Sequence, residues 1–205
     1  MVLTGPTQNS RSLPEVTVRS AVPADAEAIA RVHVDTWRSA YKGILPDECL
    51  AKLSYEKGTA RWSTTLSAKG KLSIVYVAEI GGTVVGFAGG GPEREGHAVY
   101  TGELYGIYVL PSQQRRGTGR SLVGAVAREL MRCGFEAALV WVLAENPCRA
   151  FYEALGGEIV SRKEAEIGGA RVIEVAYGWT SLGQLIEHCP GPATNVNLPE
   201  RTGLH

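Results

Sequence analysis

The sequence predicts an α+β fold in which a mixed, mostly antiparallel sheet of about seven strands is flanked by about four helices. Three observations predict it. Gly81-Gly82 and Gly168-Gly169 each stand between two β-branched, apolar runs, which is a two-residue hairpin signal. Leu122, Val123, Val126, Ala127, Leu130 and Met131 form one helical stripe, between a strand-like run closed by Pro111 and the unbroken apolar run Ala137 to Leu143. A strand, an apolar-faced helix and a strand with no polar alternation make a parallel βαβ unit, so the sheet cannot be purely antiparallel.

The elements follow in order. Val16 to Arg19 alternates like a short strand, and Pro23 opens a helix whose face runs Ile29, Val32, His33, Thr36, Trp37 and Ala40. Pro46 starts a second helix carrying Leu50, Leu53, Trp62 and Leu66, with Gly58 as its weak point. Leu72 to Ile80 and Thr83 to Ala88 form the first hairpin, and Gly89-Gly90-Gly91-Pro92 with Glu93, Arg94 and Glu95 reads as a mobile loop. Tyr100 to Leu110 is the next strand, and Ser121 to Met131 the helix of the βαβ unit, stopped by Gly134. After Ala137 to Leu143, Asn146-Pro147 caps a short helix that ends at Gly156-Gly157. Ile159 to Ile167 and Arg171 to Trp179 close the domain, expected over residues 16–182. Residues 1–15 and 183–205, rich in Pro, Gly and polar side chains, read as loose ends.

Composition narrows the function classes. Lysine plus arginine equal aspartate plus glutamate at 21 each, so there is no overall field to gather nucleic acid or an anionic membrane. No apolar stretch approaches the roughly 20 residues that span a bilayer. The four cysteines are scattered, without zinc spacing or disulfide density, and read as reduced thiols in a cytosol; no metal cluster is visible.

Chemistry gathers around Gly117-Thr118-Gly119. With 25 glycines in the chain, such a triplet arises by chance about three times. Here it lies between a buried strand and a helix start, where unpaired N–H groups and the helix dipole favour an anion. Arg115, Arg116 and Arg120 add charge at the same point. A tight turn with three solvated arginines is the alternative. A Walker loop is excluded because no Gly-Lys-Ser/Thr follows, and a dinucleotide fold is disfavoured because the βαβ unit comes late, after a hairpin.

The run Leu104 to Pro111, followed by Gln114-Arg115-Arg116-Gly117-Thr118-Gly119, resembles the Gln/Arg-x-x-Gly-x-Gly/Ala motif of the GNAT acetyltransferases. Asn146 to Gly157 is similar to that family's second signature, and the order of elements from Val16 to Trp179 fits as well. The resemblance implies the GNAT fold, with its parallel strand pair splayed, and acetyl-coenzyme A as cofactor. By it, the backbone of Ile107, Tyr108 and Val109 pairs with the pantetheine arm, the turn from Gln114 to Arg120 holds the pyrophosphate, and Asn146 serves the coenzyme side besides capping its helix. Glu103 matches a base position; with an ordinary pKa of about 4.3 it would need burial or a water relay. Tyr152 matches a tyrosine beside the coenzyme sulfur, where a phenol can protonate a departing thiolate. Trp37, Tyr41 and Tyr105, with His33, fall where the acceptor groove is placed, although one apolar helix face with a partly buried histidine explains His33, Trp37 and Tyr41 at least as well, and Tyr105 on its strand is open to the same reading.

The function so implied is acetyl transfer to a primary amine of a small molecule or peptide, by direct attack in a ternary complex. A protein N-terminal acetyltransferase of the ribosomal-protein type and a non-catalytic acyl-CoA sensor are the competing readings. Assembly is left open between a monomer and a homodimer, and fold does not fix the acceptor.

Overall fold

The computed structural model describes residues 15–68 and 73–189. There the chain forms one seven-stranded sheet: β1 (Val16–Ser20), β2 (Ile74–Ile80), β3 (Thr83–Pro92), β4 (Gly102–Val109), β5 (Ala138–Leu143), β6 (Glu158–Ile167) and β7 (Ala170–Trp179). The spatial order is β1-β2-β3-β4-β5-β7-β6, and only β4 and β5 run parallel. The helices are α1 (Ala26–Ala40), α2 (Asp47–Ala51), α3 (Tyr55–Ser67), α4 (Thr118–Arg132), α5 (Arg149–Glu153) and α6 (Leu182–Glu187). The α+β class, both glycine-turn hairpins and the βαβ unit are therefore present. Expectations for residues 1–14, for Leu72 and for residues 190–205 lie outside the described residues.

Each face of the sheet carries its own helices. α4 lays Leu122, Val123, Val126, Ala127 and Leu130 on a core with Leu104, Val140, Val175 and Tyr177. On the other face Ile29 and Val32 of α1 and the half-buried Trp62 of α3 cover Val75, Val77 and Phe87. Met131 departs from its expected place on the α4 stripe: it is 49% exposed, because it stands one helical step of about 100° beyond Leu130. The predicted second helix is two helices, and it breaks at Lys52–Ser54 rather than at Gly58. Ser54 caps α3 by accepting from the Lys57 amide, whereas Gly58 lets α3 cross close over Ala30, whose Cβ would lie 3.1 Å from an added Cβ.

Two further departures concern the ends of elements. The glycine run does not leave the sheet: β3 continues through Gly89, Gly90 and Gly91 to Pro92, and a Cβ at Gly90 would come within 2.7 Å of Val126. Glycine there allows α4 to press on the strand. The chain after Gly183 is not loose at first, since α6 buries Leu182 and Leu185 against the main core.

One irregularity positions the site. Gly89 faces Gly106, but Gly90 faces Leu104, so Tyr105 is an extra residue on β4. Beyond this bulge β4 parts from β5. The two strands are in register only at Gly102↔Ala138 and Glu103↔Leu139, and from Tyr105 to Val109 every residue of β4 is only half-buried.

Candidate active site between the parted strands

The gap between β4 and β5 is a slot lined by backbone. Leu110 donates to Val85 across the β3 side, and in an antiparallel ladder such bonds alternate along the strand. Tyr108 and Gly106 therefore also bond towards β3, while the N–H and C=O groups of Ile107 and Val109 point into the gap. Of the three residues expected to offer their backbone to the arm, Tyr108 is paired with Phe87 on the β3 side, whereas Ile107 and Val109 face the gap. The outward carbonyl of Val109 accepts from Gln114 Nε2 at 2.9 Å, which joins the slot to the turn below it.

That turn is built to receive an anion. Arg115 (φ 59°) and Gly117 (φ 85°) both take left-handed backbone angles, and α4 begins at Thr118. Among the described residues, the N–H groups from Arg115 to Arg120 donate to no protein acceptor; the first backbone bond of the helix is from Ser121 to Gly117. Unpaired amides at the start of a 15-residue helix suit a phosphate. Thr118 is buried and its hydroxyl donates to the Gln113 carbonyl, whereas the side chains of Arg115 and Arg116 are exposed. Arg120 is turned elsewhere, donating to the His188 carbonyl at 2.7 Å, while Arg115 and Arg116 have no side-chain partner among the described residues. Gly119 answers to packing as well as to a ligand, since an added Cβ would lie 3.3 Å from the Phe151 ring. These features fit an extended, amide-bearing arm that ends in a diphosphate.

The short helix α5 is anchored from outside the slot. Arg149 donates to the Ala144 carbonyl and to Tyr177 Oη, and Tyr177 donates to Glu153 at 2.5 Å. Asn146 Oδ1 accepts from the Cys148 amide in an Asx turn just ahead of α5; the cap position itself is Cys148, which makes no side-chain cap bond, so Asn146 is not the expected helix cap. Tyr152 is thereby held against Phe151, Tyr177 and Trp179. Its hydroxyl donates to no protein acceptor among the described residues. Burial pushes the Tyr152 phenol well above its ordinary value, and the Tyr108 and Tyr41 phenols and the Cys148 thiol add to the effect. Tyr41 is raised by burial and by Tyr108 in the same way, while the Asn146 side chain pulls it back. Three phenols, Tyr41, Tyr108 and Tyr152, thus converge with Asn146 and Cys148 at one end of the slot.

Glu103 lies beside the bulge, 1% exposed. Its Oε2 accepts from Arg94 Nε at 2.9 Å and from the Arg94 amide at 3.3 Å, and Arg94 Nη2 engages Oε1. Arg94 also covers the Tyr105 ring at 4.6 Å, and Tyr105 donates to the Pro92 carbonyl. On the neighbouring strands Lys163 Nζ stands 3.9 Å over the Trp141 ring, paired with Glu95 and 3.6 Å from Glu174. The stretch Glu93-Arg94-Glu95, which closes the loop expected to be mobile, is fastened on both sides by Arg94 and Glu95. It is wound about the Glu93 carboxylate, which accepts from the Glu95 and His97 amides. Trp141 and Lys163 were not singled out in the sequence; the tryptophan inside the otherwise aliphatic run of β5 was the available signal.

Trp37, Tyr41 and His33 are brought together on α1 and at its end. Trp37 packs between His33 and Tyr41, its Nε1 buried and unpaired among the described residues. Burial lowers His33 to about 4 from 6.5, with the nearby Arg61 charge acting in the same direction. The unfolded chain then takes up a proton near pH 6.5 that the folded chain refuses until about pH 4. This contribution to stability is present above pH 6.5 and declines at about 1.4 kcal/mol per pH unit as pH falls towards 4. Between pH 7 and pH 5, wild type should therefore lose about 2 kcal/mol more unfolding free energy than His33→Gln. Equal losses in denaturant titrations would contradict a neutral buried imidazole.

The comparisons with known proteins agree with this geometry. The sequence model of the acetyltransferase (GNAT) family matches residues 33–157. The uncharacterized N-acetyltransferase YuaI of Bacillus subtilis (strain 168) is 43% identical over 171 residues, covering 83% of this chain and 96% of its own. Among solved structures, yncA of Salmonella typhimurium with its cofactor acetyl-CoA has a TM-score of 0.61 at 23% identity, over 82% of this chain and 94% of that one. A ribosomal-protein-alanine N-acetyltransferase from Brucella melitensis has a TM-score of 0.63 at 24% identity, over 80% and 98%. With its model matched across both motifs and its sheet parted at the bulge of β4, this chain belongs to the GNAT family of acetyltransferases.

Proposed function

We propose that the protein transfers an acetyl group from acetyl-CoA to a primary amine of a small molecule or peptide, the two substrates being held together in a ternary complex. The observation that carries this reading is the continuity of three features: unpaired amides from Arg115 to Arg120, the open edge of Ile107 and Val109, and the Tyr152 hydroxyl.

The coenzyme supplies the acyl group as a thioester when bound. The N–H and C=O groups of Ile107 and the N–H of Val109, whose carbonyl is held by Gln114, take its arm as an added strand, which orients without requiring side chains. The amides of the turn, with Arg115 and Arg116, hold the diphosphate. Asn146, whose oxygen is engaged by the Cys148 amide, lies at the coenzyme side beside Tyr41. Tyr152 keeps its proton far above neutral pH, which suits a donor to a departing thiolate and rules against a base. An amine acceptor meets the face formed by Tyr105, Tyr41 and Trp141, with Trp37 backing Tyr41. Charges of both signs on that face, from Arg94, Glu95, Lys163 and Glu174, suit a polar acceptor. Four free thiols among the described residues suit a reducing compartment, and we take the cytosol as the place of action.

Glu103 is better suited to positioning than to proton abstraction, because both its oxygens are engaged by Arg94. It fixes Arg94 and the loop that borders the acceptor face. Glu103→Gln should lower turnover by a similar factor at every pH. A loss concentrated below neutral pH, where a base matters most, would instead assign Glu103 to deprotonation of the amine.

Tyr152→Phe keeps the ring and removes the donor. Coenzyme affinity should change little, while single-turnover transfer should fall about a hundredfold. An acyl donor with a more acidic thiol should rescue the variant more than wild type. Equal responses of the two proteins would show that Tyr152 is a packing residue.

A further inference from the structure

We infer that the Tyr108 side chain is the wall that closes the acyl end of the slot and restricts the donor to short acyl groups, acetyl above all. The inference rests on the coenzyme lying between β4 and β5, and adds which chain length it can carry.

Gly106 supplies the first observation. Its backbone has no left-handed angle, so it needs no glycine on conformational grounds. What forbids a side chain there is Tyr108, two residues on and on the same face of the strand. A Cβ on Gly106 would lie 2.9 Å from Tyr108 Cε2 and 3.1 Å from its hydroxyl. The ring therefore leans back along β4 and lies over the bulge, where the parting of the strands begins.

The ring is also fixed. Phe87 stacks on it with centroids 4.9 Å apart and planes at 29°, and His33 is 4.8 Å away. A ring held by packed aromatic neighbours is a wall and not a swinging gate. The Tyr108 phenol is near enough to those of Tyr41 and Tyr152 to help hold both above their ordinary range, the latter assigned to the sulfur end of the slot. An acyl chain that lengthens from that end by each methylene runs into the ring. A pocket that cannot yield discriminates against one extra methylene by about tenfold to a few hundredfold.

The test is calorimetric and needs no acceptor. Dissociation constants for CoA, acetyl-CoA, propionyl-CoA and butyryl-CoA are measured on wild type, Tyr108→Phe, Tyr108→Val and Tyr108→Leu. Wild type and Tyr108→Phe should bind acetyl-CoA at least about tenfold more tightly than butyryl-CoA. Tyr108→Val should bring the two within about threefold, with the affinity for CoA itself nearly unchanged. Tyr108→Leu, which leaves a smaller cavity, should shift the ratio the same way and serves if the valine variant does not fold. Equal affinity of wild type for acetyl- and butyryl-CoA, or a ratio unmoved in every folded variant, overturns the wall while leaving the coenzyme slot intact. Failure of wild type to bind CoA at all overturns the slot, and the wall with it.

Discussion

The structure depends on one extra residue in one strand. With Tyr105 inserted opposite the junction of Gly89 and Gly90, β4 can satisfy β3 along its whole length and yet turn away from β5 after two pairings. Everything assigned to function lies downstream of that parting. The edge of Ile107 and Val109 is left without a strand partner, which would be a liability in a sheet interior unless something supplies the missing hydrogen bonds. Gln114 satisfies one of those carbonyls and in doing so fixes the turn that leads into α4. The ring of Tyr108, the space over Gly106 and the seat of Glu103 are set by the same bulge.

The two ends of the slot differ in chemistry because they differ in solvation. At the turn, exposed backbone amides and two arginines offer positive potential next to water, so a multiply charged anion is bound without being stripped of all its solvent. At the other end, phenols are buried among aromatic rings and hold their protons tightly. Burial keeps such a group protonated in the resting site, so that the proton is present when a thiolate forms beside it. Balanced overall charge is consistent with this division, because the field that matters is local: the chain has as many acids as bases, yet a run of unpaired amides from Arg115 to Arg120 lies at the turn among the described residues.

Much of this was legible in the residues. Paired glycines between β-branched runs marked both hairpins, and the stripe of α4 beside an unbroken apolar run marked the parallel pair, because those patterns report period and burial directly. Both motif segments lie at the slot, with Gln114 and Asn146 in contacts at its two ends. What was not legible were features that depend on partners distant in sequence. The bulge is a mismatch between two strands, and β4 carries no trace of it beyond a glycine in a strand interior. Without the register, the backbone of Tyr108 could not be assigned to β3. The pairing of Glu103 with Arg94 joins a strand to a loop that composition marked as mobile. The start of α6 was missed because Gly183 and the prolines after it outweighed Leu182 and Leu185, whose burial is decided by α4.

The central claim is that the open edge of β4 and the turn into α4 form a single binding surface for the coenzyme, which amide hydrogen exchange with and without acetyl-CoA tests most directly. Slowed exchange at Ile107 and Val109 together with the segment from Arg115 to Arg120, and little change on the β1–β2 side of the sheet, is the predicted result. Protection confined to the turn, or protection at neither segment under saturating ligand, would contradict it.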